Sequence, residues 1–146
     1  MKKTVYATVG MSHLTGSQRV LMTFYLAKLK QQHPFTGIVE FPAFDYVELS
    51  GTSYYKNNPV HLSTKLMDAL KALTQIRAEQ KYDDGSWDSR RLFECVRLSR
   101  ENSEKELMIY IKGNKSCGPL LQQMAKESCL ITDIFGNAVV TYEIQI

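Results

Sequence analysis

The sequence predicts an α+β fold in a single domain, with a long central helix, a β-hairpin that follows it and a second hairpin at the C-terminus. Three observations predict it. Two stretches, about Gly16 to Gln32 and Pro59 to Glu79, repeat apolar residues at helical spacing. Arg91 to Ser99 and Lys105 to Lys112 read as strands joined by the charged stretch Arg100-Glu101-Asn102-Ser103-Glu104. Leu130 to Phe135 and Ala138 to Ile146 flank a two-residue Gly136-Asn137 turn. A chain of 146 residues suits one compact domain with one core, and 44% apolar with 23% charged residues is an ordinary globular balance. No repeat, linker or low-complexity run divides residues 1–146.

Residues 1 to 10 read as an exposed lead or a short strand. Ser12-His13-Leu14-Thr15 supplies hydroxyls to cap the first helix, and Val20, Leu21, Met22, Phe24, Tyr25, Leu26 and Leu29 cover most of its circumference. A helix packed on several sides is expected there. His33-Pro34 ends it, because proline lacks an amide hydrogen and disfavours a helical residue before it. Gly37 to Phe41 then reads as a strand and Pro42 to Gly51 as a short helix with proline early and glycine late.

After a turn-rich break from Thr52 to Asn58, Asn58-Pro59 opens the second long helix. Leu62, Leu66, Met67, Ala69, Leu70, Leu73 and Ile76 form its apolar stripe. His61, Thr64, Lys65, Asp68, Lys71 and Gln75 form its outward face. Asp83-Asp84-Gly85-Ser86 signals a turn before the hairpin, and Gly118-Pro119 starts a helix through Glu127.

Composition excludes several classes. No window reaches the roughly 18 uninterrupted apolar residues of a membrane span. Thr4 to Gly10 is too short and polar for a secretory signal, so no membrane partner and a cytoplasmic location are expected. Cys95, Cys117 and Cys129 form an odd set without a CxxC pair, which argues for buried reduced thiols rather than disulfides or zinc. His13, His33 and His61 lie far apart, and Asp83, Asp84 and Asp88 lack the alternation of a calcium loop, so no metal is expected. Glycine-rich phosphate loops and glycine-flanked serine nucleophiles are absent, so the expectation is a protein without catalysis or cofactor. Cys117, just before a helix, is the one thiol with an argument for reactivity.

The order helix, strand, short helix, turn, long amphipathic helix, hairpin is that of a winged helix, a helix-turn-helix with a β-hairpin wing, here over about residues 14–124. Such a unit presents its recognition helix to the major groove and takes phosphates with cations, hydroxyls and free amides. The DNA-contact candidates are Tyr54, Tyr55, Lys56, Asn57, His61, Thr64, Lys65 and Lys71. From Tyr54 to Arg77 the cations Lys56, Lys65, Lys71 and Arg77 face only Asp68, a balance of +3 that equals that of the whole chain. Arg97 and Arg100, with Arg90 and Arg91, would add backbone contacts from the wing, where Glu94, Glu101, Glu104 and Glu106 interleave with them.

Leu14-Thr15-Gly16-Ser17-Gln18-Arg19-Val20-Leu21 and Phe44-Asp45-Tyr46-Val47-Glu48-Leu49-Ser50-Gly51 resemble the start of a winged-helix domain of plasmid replication initiators. Leu66 to Leu73, the Arg91 to Lys112 hairpin and Gly118-Pro119-Leu120-Leu121 continue that resemblance. Such initiators are usually longer and pair two winged helices, whereas this chain has room for one. The resemblance implies double-stranded DNA as partner, or self-association as a homodimer, with Lys56, Thr64, Lys65 and Lys71 as contacts. A plasmid, phage or other mobile element, acting in replication or transcription regulation, is the expected setting. The alternative is a protein-interaction module or inhibitor that offers the last strand as a sheet edge to another chain.

Overall fold

A computed structural model of the chain describes residues 4–50, 59–100, 107–127 and 139–145. The order is β1 (Thr4–Gly10), α1 (Gly16–Lys30), β2 (Ile38–Pro42), α2 (Ala43–Ser50), α3 (Pro59–Thr74), β3 (Arg77–Tyr82), β4 (Trp87–Arg91), β5 (Phe93–Ser99), β6 (Met108–Gly113), α4 (Gly118–Glu127) and β7 (Val139–Gln145). This is an α+β fold, as the sequence predicts. Two antiparallel sheets carry it, one ordered β2-β6-β5 and the other β4-β3-β1-β7. None of the described helices is long and apolar enough to cross a membrane.

Helix α1 begins where its cap predicts. The Gln18 amide donates to Thr15 Oγ1 at 3.3 Å and the Thr15 amide donates to Gln18 Oε1 at 3.0 Å, so two amides free at a helix start find partners. Val20, Leu21, Met22, Tyr25, Leu26 and Leu29 are buried, and α1 packs against α2, α3, α4 and β2. It ends at Lys30, not Gln32, because the Gln31 and Gln32 amides fold back onto Lys28 and Leu29 carbonyls. The Gln32 side chain leaves the helix to donate to the Ile38 carbonyl at 2.5 Å. Tyr25 Oη donates to the Gly37 carbonyl at 2.6 Å, and the Gly113 amide donates to the same oxygen at 2.9 Å. A Cβ at Gly113 would run into the ends of the Leu121 side chain and the Tyr25 hydroxyl, so at this crossing of α1, α4 and β6 a larger residue would have to displace both.

The three-stranded sheet forms as the alternation predicts. Val39 and Phe41 of β2 stand opposite Ile111 and Ile109 of β6, which stand opposite Val96 and Leu98 of β5. These residues make an apolar inner face on which the helices pack. The hairpin's first strand, expected as Arg91 to Ser99, is β5 over Phe93–Ser99, while Arg91 ends β4 in the other sheet. Leu92 is buried between them, its amide donating to the Ile76 carbonyl.

The other sheet departs more from expectation. The second long helix stops at Thr74, and Arg77 to Glu79, expected as its end, belong to β3 (Arg77–Tyr82). Ala78 and Gln80 are buried while Arg77, Glu79 and Lys81 are exposed, a period of two that no helix satisfies. Residues Thr4–Gly10 form a short strand, one of the two readings the sequence allows, and not an exposed lead. They are a central strand, paired on one side with β3 and on the other with β7. Val5, Ala7 and Val9 supply its buried face. The last strand runs Val139–Gln145 with Ile144 buried and Thr141, Glu143 and Gln145 exposed, in the predicted alternation. The expected partner run Leu130 to Phe135 and the Gly136-Asn137 turn lie outside the described residues.

Candidate nucleic-acid interface

Helix α3 divides as its spacing requires, with Leu66, Ala69, Leu70 and Leu73 buried and Thr64, Lys65, Asp68, Lys71 and Gln75 exposed. Thr64, Asp68, Lys71 and Gln75 follow one another at intervals of three and four, which makes them a single stripe. Met67, expected in the apolar stripe, is 45% exposed beside them. Lys65 and Asp68 also line a small groove with Thr15, Ser17, Gln18 and Tyr46 at the start of α1. Tyr46 Oη donates to the Ser17 carbonyl at 2.7 Å and so fixes α2 against α1. Because α3 ends at Thr74, Arg77 leaves the helix for β3, and the +3 counted from Tyr54 to Arg77 does not sit on one surface.

The hairpin arginines go to different places. Arg97 is exposed on the outer face of β5, opposite to the face that meets the helices. Its guanidinium lies 4.4 Å from the centroid of the Tyr110 ring, a cation–π stack. Arg100 is exposed just beyond β5. The structure thus brings Thr64, Lys65 and Lys71 together on α3 and leaves Arg97 on the far side of the sheet. Tyr54, Tyr55, Lys56 and Asn57 lie outside the described residues, and His61 is placed only by its backbone, in the first turn of α3. Glu94, expected to interleave with the arginines, holds Lys112 at 2.9 Å. That bond keeps the exposed carboxyl below its ordinary pKa and the ammonium above its own.

Arg90 and Arg91 belong to β4, not to the hairpin, which corrects their assignment to the wing. Arg90 is also committed. It holds Asp88 with two bonds of 2.9 Å and donates to the Ser116 carbonyl at 3.0 Å and to Tyr82 Oη at 3.1 Å. Tyr82 Oη in turn donates to Asp88 Oδ2 at 2.6 Å. The bond from Arg90 holds the Asp88 carboxyl below its usual pKa, and the bond to Asp88 raises that of Tyr82. Asp88 is therefore an ion-pair partner, while Asp84 caps its own turn by accepting from the Ser86 amide at 2.9 Å. Among the described residues no three His, Cys, Asp or Glu side chains gather as metal ligands.

The thiols differ from expectation at one position. Cys117 is buried and burial pushes its pKa up, so the helix start next to it does not make a reactive thiolate. Cys95, expected to be buried, is exposed, because an irregularity in pairing between Phe93 and Cys95 turns it to the outer face. Cys129 lies outside the described residues.

Sequence reasoning passed over the outer face of the four-stranded sheet. Trp87 is 58% exposed and Tyr6 is 46% exposed, with Lys81 between them. The signal was present in Val5-Tyr6-Ala7 and in a tryptophan placed straight after a turn, but it needed the strand pairing to be read. No protein-family model and no curated protein matches this chain.

Proposed function

We propose that the chain is a noncatalytic DNA-binding or regulatory protein of winged-helix type, of the kind found in plasmid replication initiators and other mobile elements, with duplex DNA as its partner. One observation carries this reading. The elements α1, β2, α2, α3, β5 and β6 follow in winged-helix order, and β2 pairs with β6, so the helix pair and the hairpin belong to one sheet-backed unit. The strands β3 and β4 are inserted between α3 and β5 and pair in the other sheet without interrupting that unit.

In this reading the exposed stripe of α3 approaches the duplex. Lys65 and Lys71 take phosphates and Thr64 offers a hydroxyl, with Lys56 as the further cation that the sequence offers. Arg97 contributes little to the same contact, since it lies behind the sheet and is stacked on Tyr110. The test is binding to mixed-sequence duplex DNA at rising salt, with the triple variant Lys56→Ala, Lys65→Ala, Lys71→Ala beside the wild type. Each phosphate contact adds about 0.9 to the slope of log K against log salt, so the variant is expected to bind more weakly and with a slope smaller by about 2 to 3. Equal affinity and slope for the two proteins would sink the reading.

A second reading, a protein-interaction module, is favoured by one observation: β7 occupies the end of the four-stranded sheet among the described residues. Capture of a protein partner that salt does not weaken, lost when proline replaces Thr141, would favour it over DNA.

A further inference from the structure

The outer face of the four-stranded sheet is a surface with its own chemistry. Register places Trp87 of β4 opposite Lys81 of β3, Lys81 opposite Tyr6 of β1, and Tyr6 opposite Glu143 of β7. These side chains form one row across the sheet, on the face that Val5, Ala7 and Val9 do not use. Strands lie about 4.8 Å apart, so the indole and the phenol stand about 10 Å from one another with the lysine stem between them. Both rings are exposed, at 58% and 46%.

Four residues along the strands, beyond the Glu79–Ser89 pair, Arg77 stands directly opposite Arg91. Like charges in that position repel, and Arg77 has a partial outlet, donating to Ser89 Oγ at 2.9 Å and to the Ser89 carbonyl at 3.2 Å. The β3–β4 half of the face thus carries Arg77, Lys81 and Arg91 against the single carboxylate of Glu79. Glu143 lies beyond Tyr6, at the other side of the sheet.

We propose that this face binds single-stranded DNA, with bases stacked on Trp87 and Tyr6 and phosphates met by Lys81, Arg77 and Arg91. Exposed aromatic rings on an open sheet stack unpaired bases, and interleaved cations follow the backbone. The face does not suit an apolar protein partner, because its two rings are separated by lysine and bordered by Thr8 and Ser89, not by aliphatic side chains. A duplex does not suit it either, since bases paired inside a helix cannot reach the two rings. The choice of DNA over RNA rests on the duplex-DNA reading of α3. The stacking and charge arguments do not.

Trp87 is the only tryptophan of the chain, so its fluorescence reports this face directly. The experiment titrates the full chain with an oligothymidylate of about a dozen nucleotides, and separately with mixed duplex DNA and with oligouridylate. Single-stranded DNA is expected to quench Trp87, with a log–log salt slope of about −2 for three phosphates. Tyr6→Ala and Trp87→Ala, the latter followed by anisotropy of a labelled oligonucleotide, are each expected to weaken binding about five- to 150-fold. Tyr6→Phe and Trp87→Phe are expected to restore most of it, which a general loss of structure would not allow. The Lys56, Lys65 and Lys71 triple variant is expected to keep single-strand binding whether or not duplex binding falls, so the two proposals fail separately. Absence of quenching at low salt, or unchanged affinity in both alanine variants, overturns this one, and tighter binding of oligouridylate overturns the choice of DNA.

Discussion

The two sheets of this protein are built on opposite plans. The β2-β6-β5 sheet has a greasy inner face of Val39, Phe41, Ile109, Ile111, Val96 and Leu98, and an outer face whose groups satisfy one another, with Arg97 on Tyr110 and Lys112 on Glu94. The β4-β3-β1-β7 sheet buries the smaller apolar residues Val5, Ala7, Val9, Ala78 and Ile144 with Gln80, holds a half-buried polar cluster of Tyr82, Asp88 and Arg90 at its β3–β4 end, and leaves aromatic rings outside. The difference teaches where each sheet finds its stability. One relies on apolar burial by large side chains, and the other on burial of smaller ones together with a hydrogen-bonded polar network. It also teaches which outer face is chemically open, because the first is occupied by its own ion pair and stack while the second holds Trp87, Lys81 and Tyr6.

That comparison predicts unequal costs for truncation to alanine on the two inner faces. Phe41 is 2% exposed and its ring lies 4.5 Å from that of Phe24, so Phe41→Ala leaves a large void and is expected to cost about 3–5 kcal/mol. Val5, on the inner face of the other sheet, is 1% exposed, but Val5→Ala removes only two carbons and is expected to cost about 2 kcal/mol. Urea unfolding of both variants checks this. Equal losses would break the contrast between an apolar and a polar plan.

Sharper still is the acid response of the polar cluster. The folded carboxyl of Asp88 has its pKa lowered by Arg90, so the unfolded chain takes up that proton first as pH falls. The contribution is present above the ordinary carboxylate range of about pH 4 and is lost as pH drops through the folded pKa. The Asp88 and Arg90 side chains are 34% and 31% exposed, so solvent screens the pair and its worth is expected to be about 1 kcal/mol. Asp88→Asn should lower stability at neutral pH and flatten the acid arm of the profile. Tyr82 works in the other direction: its raised pKa stabilises the fold below the ordinary tyrosine range and that term is lost as pH rises through the folded pKa. An Asp88→Asn protein with an unchanged acid arm would place its acid sensitivity elsewhere.

The same contrast explains what the sequence reveals. Helix α1, the β5–β6 hairpin and α4 are encoded by patterns within one or two dozen neighbouring residues, such as the Thr15–Gln18 capping box and the alternation around Ile109 and Ile111. They were legible for that reason. The four-stranded sheet takes strands from the start, the middle and the end of the chain, and Arg77–Tyr82 continues the charge pattern of α3 smoothly enough to read as more helix. What separates them is the pairing of Ala78 with Val9 and of Gln80 with Ala7, a tertiary fact. The α3 face was legible as a face, since Thr64, Lys65 and Lys71 are exposed as the spacing requires. The row of Trp87, Lys81 and Tyr6 was not, because it joins residues about 80 positions apart that become neighbours only when strand register is known.

A third test involves no change of stability. Cys95 lies on the outer face of the apolar sheet, and Cys117 lies beneath the polar one, its Sγ 3.7 Å from the Arg91 carbonyl. Burial raises the pKa of Cys117, which leaves less thiolate at neutral pH, and excludes reagents as well. In a Cys129→Ser background a thiol-specific chromogen is expected to modify one group quickly and the second only as the protein unfolds. Cys95→Ser should remove the fast phase, whereas Cys117→Ser should leave it intact. If Cys117 reacts first, the turn between β6 and α4 opens more readily than the bonds of Asn114 and Arg90 across it imply, and the polar network is then the weaker of the two plans.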